Sequence, residues 1–224
     1  MVEILNGPSF SKHKNPEKLI FMLHGYGDNA DNFIHMANLI DQEDWKSHYI
    51  SLNAPRVIAG SHIAYQWFDI YPNGVYITEA SAKEIEYIKH EINQSVEKII
   101  YSIKYYCDEF KLTFADCILM GFSQGGIMTF EVGNYFQKQF AGLVILSGRI
   151  IYDKQIENNI LKNTPIYISH GQNDQVIPIT NYYKAINFLQ MNNCNFETHI
   201  LSQDGHNISS EAINLLQNFI KKIL

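Results

Sequence analysis

The sequence has 224 residues, of which 46% are hydrophobic and 18% charged, and its formal net charge at pH 7 is −6. This apolar fraction excludes a disordered chain, and the acidic balance argues against nucleic-acid binding, which needs a basic face to neutralise phosphates. The N-terminus lacks the basic and apolar regions of a signal peptide, and no run approaches the about 20 apolar residues of a membrane-spanning helix. The three cysteines have no CxxC spacing, so neither a disulfide framework nor a zinc site is expected. We therefore expect one cytoplasmic domain over residues 1–224 that does not span a membrane.

Short apolar runs predict the strands of a central sheet. Most of these runs are apolar at nearly every position, which is typical of strands buried on both faces of a parallel sheet. The last run alternates more between polar and apolar residues, which favours a place nearer the edge. The predicted strands cover residues 19–23, 48–53, 117–121, 142–147, 165–170 and 196–201.

Helical patterns lie between the strands. The longest begins at Ser81, and Glu84 completes the capping-box pattern three residues later. Alternating strands and helices predict an α/β fold, a doubly wound and mostly parallel sheet with helices on both faces. The predicted helices cover residues 30–40, 81–110, 125–137, 180–191 and 209–223.

Two segments between these elements bear on access to a site. Residues 54–80 show no clear period and contain several prolines and glycines, so they are predicted to form a long loop with short elements. Residues 148–164 separate two predicted strands and leave no room at that point for a separate cap domain. We therefore expect an active site that is open or covered only by short loops.

The strongest chemical signal is the segment GFSQGG at residues 121–126. It follows a predicted buried strand and precedes a helical pattern, the context that a nucleophile elbow requires. Gly121 and Gly125 would remove the collisions of so tight a turn, and Ser123 would be exposed above the carboxyl edge of the sheet. The N-terminus of the following helix would point its amides at developing negative charge. The alternative is an ordinary glycine-rich turn with a solvated serine.

A serine hydroxyl needs a base that takes its proton, and with this elbow the expected chain order is serine, acid, histidine. His170 ends a predicted strand and is expected to shape the next turn. His199 lies inside the predicted edge strand and is expected to face solvent. His206 lies in a loop between the last strand and the last helix, from which its imidazole can reach the elbow. His206 is therefore the candidate base.

The acid should come from a third loop at the same edge of the sheet, where it orients the imidazole and stabilises the imidazolium. Asp174 follows the predicted strand 165–170 and emerges at that edge. Asp204 is the alternative, but it lies only two positions from His206 and is expected to stabilise its own loop. A turn carboxylate is the ordinary role of such an aspartate. We favour Asp174 because the orienting group is expected from a separate, fixed loop.

A tetrahedral intermediate also needs amide donors around its oxyanion. One is expected to be the backbone N–H of Gln124, the residue after the serine, and the other to come from the loop after an early strand. The segment from Leu23 to Asp28 fits that loop, with the Tyr26 amide as the donor and His24 in a structural role. The HExxH motif is absent and the histidines lack metal-ligand spacing, so no metal or other cofactor is expected.

Several segments, in order along nearly the whole chain, resemble the acyl-protein thioesterase, lysophospholipase and carboxylesterase family of small α/β-hydrolases. The resemblance implies Ser123 as nucleophile, Asp174 as acid and His206 as base, with the amides of Tyr26 and Gln124 as the oxyanion hole. The segments are LHGYGDNADNF (23–33), NAPR (53–56), QWFD (66–69), GFSQGG (121–126), LSG (146–148), SHGQNDQVIP (169–178) and GHNIS (205–209).

The resemblance also implies that the QWFD segment borders the acyl site, so Trp67 and Phe68 are candidate substrate contacts, although both could equally be core aromatics. The sequence departs from the family pattern at Tyr26, where leucine is usual, and at Arg149, which follows LSG. The loop segments 57–65 and 70–80 contain no recognisable sequence motif of the family. Acyl-chain specificity is expected to reside in that loop.

The expected function is that of a serine hydrolase that cleaves carboxylic esters or thioesters through an acyl-enzyme intermediate. The substrate is expected to be a small-molecule ester or acyl-thioester, with an acylated protein or a lysophospholipid as further options. A peptidase or an acyltransferase on the same fold is an alternative, because the fold supports many acyl transfers. A non-catalytic acyl-binding pseudo-hydrolase is the alternative from another class.

Overall fold

The computed structural model describes residues 2–77, 80–151 and 159–224. The strands of the described chain are β1 (Ser9–Ser11), β2 (Lys18–Leu23), β3 (Ser47–Leu52), β4 (Arg56–Val57), β5 (Tyr65–Gln66), β6 (Cys117–Phe122), β7 (Gly142–Leu146), β8 (Ile166–Gly171) and β9 (Phe196–Leu201). A seven-stranded sheet runs through the centre in the order β1-β3-β2-β6-β7-β8-β9. Every neighbouring pair in it is parallel except β1 and β3.

The α-helices flank this sheet, and the predicted α/β fold with a doubly wound, mostly parallel sheet is confirmed. Among the described residues, no helix combines the length and apolar character needed to cross a membrane. The helices are α1 (Ala30–Phe33), α2 (Ala37–Ile40), α3 (Ala82–Phe110), α4 (Gln124–Tyr135), α5 (Asn159–Asn163), α6 (Thr180–Met191) and α7 (Ser210–Ile223).

Local structure differs from the sequence prediction in a few places. The single helix expected over 30–40 is two short helices, α1 and α2, joined by a 3₁₀ turn at Ile34–Met36. Strand β1 was not predicted, because three residues paired at an edge carry almost no periodic signal. The predicted loop 54–80 contains a two-residue antiparallel ladder between β4 and β5. At the start of α3 the capping box forms as expected, with Ser81 and Glu84 each accepting the other's backbone N–H.

The core lies on both faces of the sheet because successive strand residues point to opposite sides. In β2, Leu19, Phe21 and Leu23 pack in a cluster with residues of α3, α4 and α6, whereas Ile20 and Met22 pack with residues of α2 and α7. These five side chains are fully buried. This double burial explains the continuous apolar runs of the sequence.

The parallel strands end at one edge of the sheet, where loops follow four of them. The loop after β2 begins at His24, and the turn after β6 contains Ser123. Asp174 follows β8, and His206 lies between β9 and α7. In open α/β sheets, ligands bind at this carboxyl edge.

Candidate active site

The turn between β6 and α4 holds Ser123 in an unusual backbone conformation, with φ 56° and ψ −117°. Such a conformation is costly for a residue with a side chain, and it persists only where the surroundings enforce it. A Cβ on Gly121 would lie 2.1 Å from the carbonyl oxygen of Gly125, and a Cβ on Gly125 would lie 2.0 Å from that of Leu23. The two glycines therefore allow the tight approach, as the sequence argument expected. A bond from the Ser123 N–H to the Leu146 carbonyl (2.9 Å) anchors the turn to β7.

Three side chains from separate loops form a hydrogen-bonded row. The Ser123 hydroxyl donates to Nε2 of His206 at 2.9 Å, and Nδ1–H of His206 donates to Oδ2 of Asp174 at 2.7 Å. The Asp174 side chain is fully buried, whereas that of His206 is 17% exposed. The Phe122 ring packs against the imidazole with centroids 4.8 Å apart, which restricts its rotation. The structure thus brings together the three residues that the sequence selected.

The Asp174 carboxylate is held by its own loop. Its Oδ1 accepts the backbone N–H groups of Val176 (2.9 Å) and Ile177 (2.8 Å), which leaves Oδ2 for His206. His170 supports the same loop, because its Nε2–H donates to the Ile177 carbonyl at 2.7 Å. His170 therefore shapes the turn, as predicted, and contacts Asp174 Oδ2 only at 3.5 Å.

The rejected candidates lie elsewhere. His199, on β9, pairs with Glu197 at 3.0 Å and is partly exposed. Asp204 makes no hydrogen bond to His206 among the described residues, and its backbone carbonyl accepts the N–H of Asn173 at 2.9 Å. Asp204 thus ties the His206 loop to the Asp174 loop through its backbone.

The loop after β2 approaches the elbow closely. A Cβ on Gly25 would lie 3.4 Å from the Cβ of Ser123. The N–H of Gly27 donates to the Tyr65 carbonyl (2.9 Å), and the Tyr65 N–H donates to the Asp28 carbonyl (3.0 Å), so the β5 segment fixes this loop. In the described part of the chain, the Tyr26 amide has no acceptor.

Gln124 supplies a second amide beside Ser123. It is the first residue of α4, and the N–H groups of a first helical turn have no intrahelical acceptor. The Gln124 amide thus lies at the start of α4 directly after Ser123, and the Tyr26 amide lies in the loop whose Gly25 approaches Ser123.

His24 has the structural role expected of it. It is fully buried; Nδ1–H donates to the Gly25 carbonyl at 2.7 Å, and Nε2 accepts the Ala54 N–H at 3.1 Å. The second bond requires the neutral imidazole, because a protonated Nε2 could not accept. Burial lowers the pKa of His24, and burial likewise lowers the pKa of His170.

Acidification is expected to destabilise the fold through these two buried imidazoles. Unfolded histidines titrate near about pH 6.5, whereas burial lowers the pKa of His24 and His170 in the native state. The unfolded chain therefore binds more protons below about pH 6.5, so the free energy of unfolding should fall progressively as pH decreases from there toward the lowered native values. Urea titrations at pH 7.5 and 5.5 measure this loss. His170→Gln should show a smaller loss than wild type, and an equal loss in both proteins would contradict the assignment to His170.

The QWFD segment forms part of the site wall. The Gln124 side chain accepts the Trp67 N–H (2.8 Å) and donates to the Phe68 carbonyl (2.7 Å), and Arg56 donates to the Trp67 carbonyl (2.7 Å). Arg56 is itself paired with Glu91 at 3.1 Å. These roles of Arg56 and of the Gln124 side-chain amide were not predicted, although both residues lie in the recognised segments NAPR and GFSQGG.

A cavity of about 270 Å³ opens beside Ser123. Phe68 borders it although its side chain is fully buried, and less buried apolar side chains such as Ile70 complete the wall. Trp67 is equally buried but does not border the cavity, and its Nε1–H donates to the His24 carbonyl at 2.9 Å. The expectation that Trp67 contacts substrate is not met by this geometry, because its indole serves as a structural link behind the wall. No cluster of three potential metal ligands occurs among the described residues.

The profile of the phospholipase/carboxylesterase family matches residues 9–224 of the chain. The chain belongs to the phospholipase/carboxylesterase family. A relative in this family, acyl-protein thioesterase 1 of Saccharomyces cerevisiae, is 28% identical over 231 residues, covering 96% of both chains. Acyl-protein thioesterase 1 homolog 1 of Dictyostelium discoideum is 26% identical and covers 92% of this chain and 90% of its own.

Solved structures of other proteins superpose on this chain over nearly its whole length. Esterase PE8 superposes with a TM-score of 0.87 at 23% identity, over 99% of this chain and 100% of its own. The Bacillus cereus carboxylesterase superposes with a TM-score of 0.78 at 14% identity, over 98% and 95% of the two chains. The α/β-hydrolase fold is thereby confirmed, and family membership makes the protein a carboxylic ester hydrolase.

Proposed function

We propose that this esterase cleaves carboxylic esters or thioesters through an acyl-enzyme on Ser123, with His206 as general base and Asp174 as the group that orients it. The observation that carries the proposal is the row of hydrogen bonds at 2.9 Å and 2.7 Å that joins these three side chains. A row of this kind supplies the base that an unassisted serine hydroxyl lacks.

In the first half-reaction, Oγ of Ser123 forms a bond to the acyl carbon while its proton passes to Nε2 of His206. The carbonyl oxygen becomes an oxyanion, which the amides of Tyr26 and Gln124 stabilise by hydrogen bonds. The tetrahedral intermediate then breaks its bond to the alcohol or thiol, and His206 returns the proton to that leaving group.

In the second half-reaction, water attacks the acyl carbon and gives its proton to His206. The bond from the acyl carbon to Ser123 breaks, and His206 returns the proton to Oγ. Asp174 keeps its charge throughout: it holds Nδ1 protonated, so that Nε2 is the free acceptor, and it stabilises the imidazolium that forms twice. No step requires a metal or an organic cofactor.

The substrates proposed are small-molecule esters and acyl-thioesters, with acylated proteins and lysophospholipids as further classes. The curated relatives named as acyl-protein thioesterases support the thioester option. The apolar wall of the cavity supports a hydrocarbon acyl chain. A cytoplasmic location is proposed as well, because Cys107, Cys117 and Cys194 are free thiols, which suits a reducing compartment.

A substrate panel tests this function. We expect the protein to hydrolyse p-nitrophenyl esters and acyl-thioesters of increasing chain length, and to leave peptide amides essentially uncleaved. Amide cleavage at comparable rates would favour a peptidase, and transfer to an added alcohol in preference to water would favour an acyltransferase. Absence of all turnover by folded protein would favour the acyl-binding pseudo-hydrolase.

A further inference from the structure

One cation lies in the wall of the cavity that contains Ser123. Arg149 follows β7, the strand beside β6, so it emerges at the same carboxyl edge as the elbow. Its backbone position is fixed by close packing: a Cβ on Gly148 would lie 2.8 Å from Ile145 Cγ2 and 3.0 Å from the carbonyl carbon of Gly126. Ser147, two residues earlier, takes a left-handed φ of 47°.

Arg149 has no carboxylate partner among the described residues, and no aspartate or glutamate of the described chain lines its cavity. Its side chain is substantially buried, and this burial lowers the pKa of the guanidinium from its very high ordinary value. An arginine nevertheless stays charged in proteins. The other arginine of the chain, Arg56, shows the usual arrangement for a part-buried guanidinium, since it is paired with Glu91.

A second cavity of about 520 Å³ adjoins the first. The two share Ile77, Arg149 and Asn181 as lining residues, and the second adds Lys184. Its described lining also lacks aspartate and glutamate. Among the described residues, the charged groups that line the two cavities are therefore cationic, although the chain as a whole carries a net charge of −6.

We propose that Arg149 binds an anionic group of the substrate, so that this esterase prefers esters or thioesters that carry a carboxylate or phosphate away from the scissile carbonyl. The proposal rests on the proposed function, in which Ser123 attacks that carbonyl. The guanidinium presents its donors in a planar fork that fits a carboxylate or a phosphate with two parallel hydrogen bonds. Apolar side chains that line the same cavity as Ser123 and Arg149 and are not fully buried, such as Ile70 and Val176, contact the hydrocarbon that joins the two groups.

Matched substrates test the proposal. The acyl arm compares p-nitrophenyl hydrogen adipate with neutral p-nitrophenyl hexanoate. The alcohol arm compares an acylglycerol phosphate with the same acylglycerol. We expect a higher kcat/KM for the anionic member in at least one arm, and the arm that shows it identifies which side of the ester carries the charge.

Replacement of Arg149 should remove that preference. A hydrogen bond to a charged group contributes about 1.5–3 kcal/mol, so Arg149→Met should lower kcat/KM for the anionic substrate about 10- to 150-fold. The value for the neutral substrate should change no more than about threefold. Arg149→Lys should restore part of the preference. Lys104→Met is the matched control, because it removes one positive charge from an exposed position on α3 and should leave both substrates unchanged.

Wild-type protein gives a second readout that does not depend on a variant that folds. Adipate should inhibit hydrolysis of the neutral ester competitively, whereas adipamide at the same concentration should not. The inference would be overturned if neither arm showed a preference for the anionic substrate, or if Arg149→Met kept that preference. In either case, hydrolysis of the neutral ester that depends on Ser123 would still uphold the proposed function. Neutral-ester hydrolysis that did not depend on Ser123 would overturn both.

Discussion

Ser123→Ala is expected to lower kcat for p-nitrophenyl ester hydrolysis by about 10⁶-fold, the loss seen when a serine nucleophile is removed from a complete triad. Without Oγ, no covalent intermediate can form, and His206 and Asp174 have no hydroxyl to activate. Alanine keeps the Cβ, so the strained turn between Gly121 and Gly125 should persist. Steady-state kinetics, with protein concentration chosen to detect residual turnover, measures the effect.

The control for this variant is Ser202→Ala, which alters an exposed serine on the loop that carries His206. It should retain activity within about twofold, since surface substitutions of this kind usually change little. Urea unfolding of both variants separates a loss of chemistry from a loss of fold. If folded Ser123→Ala kept more than about 1% of wild-type activity, another residue would be the nucleophile.

Asp174→Asn is expected to lower kcat about 10⁴-fold, because the substitution reverses the tautomer of His206. Oδ1 must remain an acceptor for the amides of Val176 and Ile177, so the new NH₂ group would face Nδ1 of His206. Nδ1 would then have to accept, which puts the proton on Nε2. A protonated Nε2 cannot take the Ser123 proton.

Asp204→Asn is the matched comparison for the acid. Asp204 lies close to His206 in sequence and is buried, yet among the described residues its carboxylate makes no hydrogen bond to the imidazole. This variant should retain kcat within about tenfold, with any loss of stability read from urea unfolding. If Asp204→Asn lowered kcat about 10⁴-fold and Asp174→Asn changed kcat little, the residue that orients His206 would be Asp204.

The parts of the site that sequence reasoning anticipated are those dictated by strand direction and by backbone sterics. Parallel strands end at one edge, so residues that follow β6, β8 and β9 had to meet there. The glycines at 121 and 125 predicted a close approach of backbones, and the structure shows that a Cβ at either would overlap a carbonyl oxygen. Both inferences depend on local sequence and one topological rule.

The features that escaped prediction depend on contacts between residues far apart in the chain. The sequence alone left Trp67 as either a substrate contact or a core residue. In the structure its backbone N–H donates to the Gln124 side chain and its carbonyl accepts from Arg56, and these contacts hold it in a buried position. The β4–β5 ladder has two residues in each strand, too few to show a period. The predicted helix over 30–40 is interrupted by a 3₁₀ turn at Ile34–Met36, which its apolar pattern did not indicate.

The central claim, that Ser123 is a nucleophile activated by the row through His206 to Asp174, is tested most directly by covalent labelling with a fluorophosphonate and peptide mapping of the adduct. We expect a single adduct on Ser123 in wild type, none in Ser123→Ala, and labelling slowed by several orders of magnitude in Asp174→Asn. An adduct on another residue, or no adduct on folded wild-type protein, would contradict the account.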